Sequence, residues 1–397
     1  MCCLTGMPLL ETVYIIALCR WAWKRCLHTG SEDSKTWGTA TFEDFEPVPR
    51  MCRLVLAVYE EDLDNPVWAP PGGYQIDIRS VVKRVGNLET SGMAPPYLIY
   101  VDHNAKDIIL AFRGLSMVRE SDYAVLLDNK LGQEKFEGGF VHHGLLKSAL
   151  CVFEKEAETL RELVGSHPDY NLTFTGHSLG SGVAAMLALK VAGNRDLLGN
   201  IPRKQIRCYA IAPARCVSLN LAVRSADIIN SVILQDDFMP RTATPLEDMF
   251  KCVFCLPCLL CFSCVGDTFT PEDKLLRDPR RLYVPGRLYH IVERKLCRYG
   301  RLPPHVKTAV PVDRRFEHVV ISCNATTDHS IVCIERESQK ALDIMMEERM
   351  MNAPIVQKME RQISDKSDHD REHSDAMQRV VSLSVPHASG QLYGTFT

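Results

Sequence analysis

TFTGHSLGSGVAAML, residues 173–187, decides the fold. The stretch opens on β-branched and aromatic residues, Thr173 to Thr175, which suit a short buried strand. It closes on small and aliphatic residues that read as a helix. Between them stands G-x-S-x-G, as Gly176, His177, Ser178, Leu179 and Gly180. Two glycines let a strand turn sharply into a helix, and the serine at the apex is then strained with its hydroxyl exposed. Gly180, Gly182, Ala184 and Ala185 let the helix lie close against a sheet. The helix N-terminus also directs its dipole at the serine, which favours an oxyanion there.

A serine hydroxyl is a weak nucleophile until a base takes its proton. On a strand–turn–helix elbow the partners follow in the order serine, acid, histidine. SVILQDDFMPR offers Asp236 and Asp237 just past the apolar run Val232–Leu234. NATTDHSIVCIE offers His329, after the apolar run HVVIS and before a helical stretch. His290 lies inside RLYHIV, where a satisfied core histidine is expected. His318 begins a strand at FEHVV, and His142 and His143 precede the serine in the chain. His177 adjoins Ser178, but its side chain is expected to point away from the elbow.

Outward from the elbow, strands alternate with helices. PYLIYVDHNAKDIILAFRG reads as a hairpin about the polar turn His103–Asp107. CVFEKEAETLRELVGSH has helical spacing. IRCYAIAPAR and DIINSVILQ read as buried strands, RRLYVPGRLYHIVERK and FEHVVISCN as further strands, and SIVCIERESQKALDIMMEERM as a closing helix. Such alternation predicts an α/β fold with a mainly parallel central sheet flanked by helices. Residues 1–90 form an N-terminal region, 91–351 the main domain, and 352–397 a polar tail. The tail, with SDKSDHDREHSDAMQ in its middle, has too little apolar content for a core and is expected to be disordered.

The 397 residues suffice for one large domain or two ordinary ones. Apolar residues make up 46% and charged residues 24%, as in soluble globular proteins. A net charge of −3 gives no electrostatic reason for nucleic acid as a partner. The N-terminal apolar stretch is interrupted by Glu11 and followed, not preceded, by Lys24 and Arg25, the reverse of a secretory signal. It is also short for a membrane span. Trp21 and Trp23 beside those cations suit a helix at a lipid–water interface, and equally a buried helix docked on the domain. The expectation is an intracellular, cytoplasmic protein, peripherally associated with membrane and not secreted. Its sixteen cysteines are then mostly free thiols.

Taken together, the motifs resemble the class 3 (fungal-type) lipases, and more closely the diacylglycerol-lipase branch and its plant relatives with an extra N-terminal lipase region. The resemblance rests on AFRG at 111–114, GGFVHHGLLKSA at 138–149, GHSLGSG at 176–182, IAPAR at 211–215, LQDDFMPR at 234–241 and TDHS at 327–330. It covers most of residues 1–350 and implies an α/β-hydrolase fold. In diacylglycerol lipases the acid precedes an apolar pair and Pro-Arg, which selects Asp237 over Asp236. The family's oxyanion hole maps to the backbone N–H groups of Leu115 and Leu179. Many members carry Ser or Thr at the first position, and leucine offers only its amide. Residues 115–140 occupy the position of a lid in that family, and read equally as a plain surface helix. The implied reaction is acyl transfer from a fatty acyl glycerol ester, a mono- or diacylglycerol, through an acyl-enzyme on Ser178. It needs no metal and no organic cofactor. The implied partner is lipid at a membrane or lipid-droplet surface. The alternatives are an inactive membrane-docked scaffold of the same fold, or an esterase or thioesterase acting on other acyl substrates.

KCVFCLPCLLCFSCVGD, residues 251–267, places Cys252, Cys255, Cys258, Cys261 and Cys264 at every third position, between the acid and the histidine. Near neighbours at this spacing pair poorly as disulfides. A metal cluster needs converging thiolates, but the intervening pairs lack polar or Gly spacers. Burial as an apolar hairpin or helix and a membrane-facing, S-acylated patch both remain. Cys2 and Cys3 are further acylation candidates, since two acyl chains anchor far better than one.

Overall fold

In a computed structural model of the chain, the structure describes residues 26–27, 29–114, 124–125, 127–241, 274, 276–294, 302–313, 315–320, 322–351 and 358–382. A nine-stranded sheet forms the centre. Its strands are β1 (Gly38–Thr39), β2 (Val81–Val85), β3 (Tyr97–Asp102), β4 (Asp107–Phe112), β5 (Asn171–His177), β6 (Ile206–Ile211), β7 (Ile229–Leu234), β8 (Arg287–Val292) and β9 (His305–Ala309). The order across the sheet is β1-β9-β8-β7-β6-β5-β4-β3-β2. The five strands β4 to β8 run parallel to one another, and antiparallel pairs complete the sheet on both sides. This is the α/β-hydrolase fold, with a mainly parallel sheet flanked by helices.

The residues explain the layers. β3 and β4 are buried along their whole length, the continuous apolar signature of strands covered on both faces. Successive side chains take opposite faces. Tyr97, Ile99, Leu110 and Phe112 enter one core, whereas Leu98, Tyr100, Ile109 and Ala111 enter the other. The hairpin pairs Asp102 with Asp107 around the turn read from the sequence.

Helices α1 (Pro47–Tyr59), α2 (His143–Ser166), α3 (Leu179–Gly193), α4 (Leu219–Arg224), α5 (Ile331–Met351) and α6 (Lys358–Ser382) complete the layers. From β4 to β7 each connection steps to the next strand in the same direction. Right-handed crossovers of one direction put their helices on one face, and α2, α3 and α4 share a core there. The opposite face is covered by α1 and α5, which pack on each other. α1 starts with Pro47 in its first turn, where the missing N–H costs nothing. Its Arg50 spans the turn of the hairpin, 2.9 Å from Asp102 and 2.6 Å from Asp107. The N-terminal region is therefore part of the same fold from residue 29 onward, supplying α1 on one face and the two edge strands β1 and β2. The apolar helix expected at its start lies outside the described residues.

Two sequence expectations need correction. The composition of residues 352–397 predicts disorder, yet α6 spans Lys358–Ser382. Among its described side chains it buries a narrow stripe, Ala376 and Val380, against the face that carries α4. Polar contacts do the rest. Glu372 accepts from Arg287 at 2.8 Å and from the Val310 N–H at 2.9 Å, and His373 meets the Val223 carbonyl at 3.0 Å. A composition test misses such a helix because its support comes from partners elsewhere in the chain. Within the expected strand FEHVVISCN the described strand is Val319–Val320, paired with Cys26–Leu27, and Ile321 lies outside the described residues. That side of the sheet is built instead by β9, a short antiparallel strand whose sequence HVKTA has little pattern, with β1 outside it at the edge. Among the described residues no helix is long and apolar enough to cross a membrane.

Candidate active site

β5 ends at His177 and α3 begins at Leu179, so Ser178 occupies the turn between them. Its backbone takes φ 52° and ψ −118°, a conformation costing about 1–3 kcal/mol for a non-glycine residue. The surroundings hold it there. Its N–H donates to the Ile211 carbonyl at 2.9 Å, and its carbonyl accepts from the Ser181 hydroxyl at 2.5 Å. A Cβ on Gly176 would run into the Gly180 backbone, and one on Gly180 into the backbone of Arg113. The two glycines thus permit the close crossing of strand, helix and the end of β4. Leu179 is the first helical residue, so its N–H has no intrahelical acceptor and points out of the helix start.

Ser178, Asp237 and His329 come together from three separate loops. The Ser178 hydroxyl lies 2.9 Å from His329 Nε2, and His329 Nδ1 lies 2.9 Å from Asp237 Oδ1. Asp237 is wholly buried just after β7, and the Met239 N–H also donates to its Oδ1 at 2.9 Å. Its Oδ2 is buried without a hydrogen-bond partner among the described residues. The Phe238 ring packs on the imidazole of His329, with centroids 4.8 Å apart. Ionised Asp237 accepts from Nδ1–H, which leaves Nε2 as the acceptor facing the hydroxyl.

Asp236 faces a different set of partners. Its carboxylate accepts from the Gly30 N–H at 2.7 Å and the Ser322 hydroxyl at 2.7 Å, and Arg294 lies 3.4 Å away. Its own N–H donates to Asp328 at 2.8 Å, and Asp328 also pairs with Arg294. Burial pushes the Asp328 carboxyl above its ordinary value despite the adjacent Arg294. Arg241 completes the brace. Its guanidinium donates to the carbonyls of Asp237 at 3.0 Å and Gln235 at 2.6 Å, and pairs with buried Asp33. Residues 29–34 of the N-terminal region are thereby built into the loop that carries Asp237.

The remaining histidines divide clearly. His290 is buried between the Ser34 hydroxyl at 2.7 Å and the Gln235 carbonyl at 3.0 Å, and burial pushes its imidazole down to about 4. His318 pairs with Asp33 at 2.9 Å. His142 caps α2, and His143 lies 2.5 Å from Glu134. His177 departs from the expectation that set it aside. Its ring lies against that of His329, with centroids 4.9 Å apart, and its Nε2 is 2.7 Å from the His329 carbonyl. Its position beside a glycine-rich turn was the only sequence signal for this, because the partners lie on distant segments.

Leu115 and all five cysteines from Cys252 to Cys264 lie outside the described residues, as do Cys2 and Cys3. So do residues 115–123 and 126 of the segment at the lid position. The described end of that segment is tied to α2, since the Gly144 N–H donates to the Asp128 carbonyl at 2.8 Å.

Comparison with known proteins agrees with this fold. Residues 109–247 match the family Lipase (class 3), and residues 9–76 match the Lipase 3 N-terminal region. The chain is 30% identical over 164 residues to diacylglycerol lipase-beta of Mus musculus, covering 39% of this chain and 23% of that protein. It is 33% identical over 114 residues to secreted mono- and diacylglycerol lipase A of Penicillium camembertii, covering 28% of this chain and 35% of that protein. The chain thus spans well under half the length of these curated relatives. Among solved structures, the Rhizomucor miehei lipase propeptide complex superposes with a TM-score of 0.50 at 17% identity, covering 76% of this chain and 85% of that one. With the N-terminal and main lipase regions in this order on an α/β-hydrolase sheet, the chain belongs to the class 3 lipase family.

Proposed function

We propose that the protein is a serine hydrolase that cleaves fatty acyl esters of glycerol, with mono- and diacylglycerols as its substrates. The observation that carries this reading is the hydrogen-bonded line from Asp237 through His329 to Ser178 at the head of the sheet. The substrate class is supported by the mono- and diacylglycerol lipases among its relatives.

His329 takes the proton of Ser178 as the hydroxyl attacks the ester carbonyl. Asp237 holds the imidazole in the required tautomer and stabilises the imidazolium that forms. The tetrahedral oxyanion is met by the backbone N–H groups of Leu179 and Leu115, each donor of this kind contributing about 10²–10³ in rate. His329 then protonates the departing glycerol oxygen and leaves an acyl-Ser178 ester. Water, activated by the same imidazole, releases the fatty acid. The reaction takes place at a lipid–water surface, and the apolar N-terminal stretch and the cysteine run are the segments proposed to meet it.

Hydrolysis of diacylglycerol micelles and of a short water-soluble ester by wild type and Ser178→Ala tests the reading. Ser178-dependent release from micelles supports it. Release from the short ester alone removes the lipase part. No serine-dependent release from either substrate leaves the scaffold alternative.

A further inference from the structure

We infer that Tyr59 and His177 are positioning residues that lock Gly114, just past β4 and one residue before the proposed oxyanion donor Leu115, to the loop that carries His329. The inference rests on the hydrolase reading above and goes beyond its three reacting residues.

The hydrogen-bond directions are fixed by chemistry. The His329 carbonyl is only an acceptor, so His177 Nε2, 2.7 Å away, must carry a proton and donate to it. Burial and the neighbouring His329 push the His177 imidazole down to about 3, so the ring is neutral and its Nδ1 is an acceptor. The Tyr59 hydroxyl, 2.9 Å from Nδ1, therefore donates to it. The same oxygen accepts the Gly114 N–H at 2.8 Å. One directed line thus runs from the Gly114 amide through Tyr59 and His177 to the backbone of His329.

Two features suit this line to catalysis. A neutral His177 places no second charge beside His329 when that ring becomes an imidazolium. Gly114 also lies so close that a Cβ there would come within 2.5 Å of the Tyr59 hydroxyl and 2.8 Å of His177 Nδ1. Loop and network therefore fit only with glycine at that position. Tyr59 is the last residue of α1, so the N-terminal region supplies a group at the heart of the site. A shift of about 1 Å in either loop misaligns donor or base and costs on the order of 100-fold in rate.

The test uses full-length protein and a short soluble ester, with kcat, KM and thermal midpoint measured together. Tyr59→Phe keeps the ring and removes the hydroxyl. Its expected result is a fall in kcat of about 10- to 100-fold with KM changed less than about threefold. His177→Phe is expected to fall at least as far. His177→Gln, whose amide can donate where Nε2 does, should recover much of kcat. The Tyr59→Phe/His177→Phe double variant should be no worse than His177→Phe alone, as expected for one connected network. Wild-type kcat in Tyr59→Phe, or losses that multiply in the double variant, would overturn the inference. So would a lowered thermal midpoint with kcat intact. A wild type without Ser178-dependent turnover overturns the hydrolase reading itself; an active wild type with an indifferent Tyr59→Phe overturns this inference alone.

Discussion

Asp328 and Asp236 join two loops across the head of the sheet: the carboxylate of Asp328 accepts the backbone N–H of Asp236 at 2.8 Å. Each of them precedes a member of the candidate triad. The contact therefore fixes the separation of Asp237 from His329, with Arg294 closing the pair. Neighbouring aspartates carry different burdens, one aimed at the imidazole and the other bracing the loop.

The division predicts unequal effects of equal chemistry. Asp237→Asn should lower turnover by roughly 10⁴-fold, because the amide no longer holds the productive histidine tautomer. Asp236→Asn should leave turnover within about tenfold and instead cost about 1–3 kcal/mol of stability through its buried partners. Steady-state kinetics and urea unfolding of both variants check this, and the reverse ranking would reassign the acid.

Acid should destabilise the fold before it titrates the carboxylates. His177 and His290 are held neutral, at about 3 and about 4, against an ordinary value of 6.5. The unfolded chain takes up these protons below about pH 6.5, whereas the folded chain does not. Their stabilisation is complete above that pH. It falls by about 1.4 kcal/mol per pH unit for each group as pH drops toward 4. Calorimetry from pH 7 to 4 should show a falling thermal midpoint, and His290→Gln should reduce the slope by about half. A flat profile would contradict burial of these rings.

The docking of residues 29–34 can be tested at one atom. A Cβ on Gly30 would overlap the Gln235 carbonyl and the Arg241 guanidinium, both of which belong to the brace behind Asp237. Gly30→Ala should cost about 1–3 kcal/mol in urea unfolding. Gly38→Ala, whose nearest neighbour lies 3.8 Å away, should cost far less. Equal losses would mean that the segment is not seated as described.

What could be read in the sequence follows the range of the forces involved. The elbow was legible because its geometry demands particular residues within five positions, and the hairpin Tyr97–Phe112 because both strands are buried on both faces. Asp236 and Asp237 could not be separated by spacing alone, since a single step along the chain reverses which way a side chain points. The family pattern was needed for that choice. Tyr59 and Arg294 gave no local sign, as they act on residues 118 and 34 positions away in the chain. Helix α6 was hidden for a related reason. Its sequence is polar, and it is held by a narrow apolar stripe and by Glu372.

The central claim is that Ser178 is a nucleophile activated by His329, and labelling with a serine-directed fluorophosphonate reads this most directly. The account predicts a single adduct on Ser178 in the folded wild type. It predicts none in Ser178→Ala and almost none in His329→Ala at matched thermal stability. An adduct on another serine, or undiminished labelling of Ser178 in His329→Ala, would contradict it.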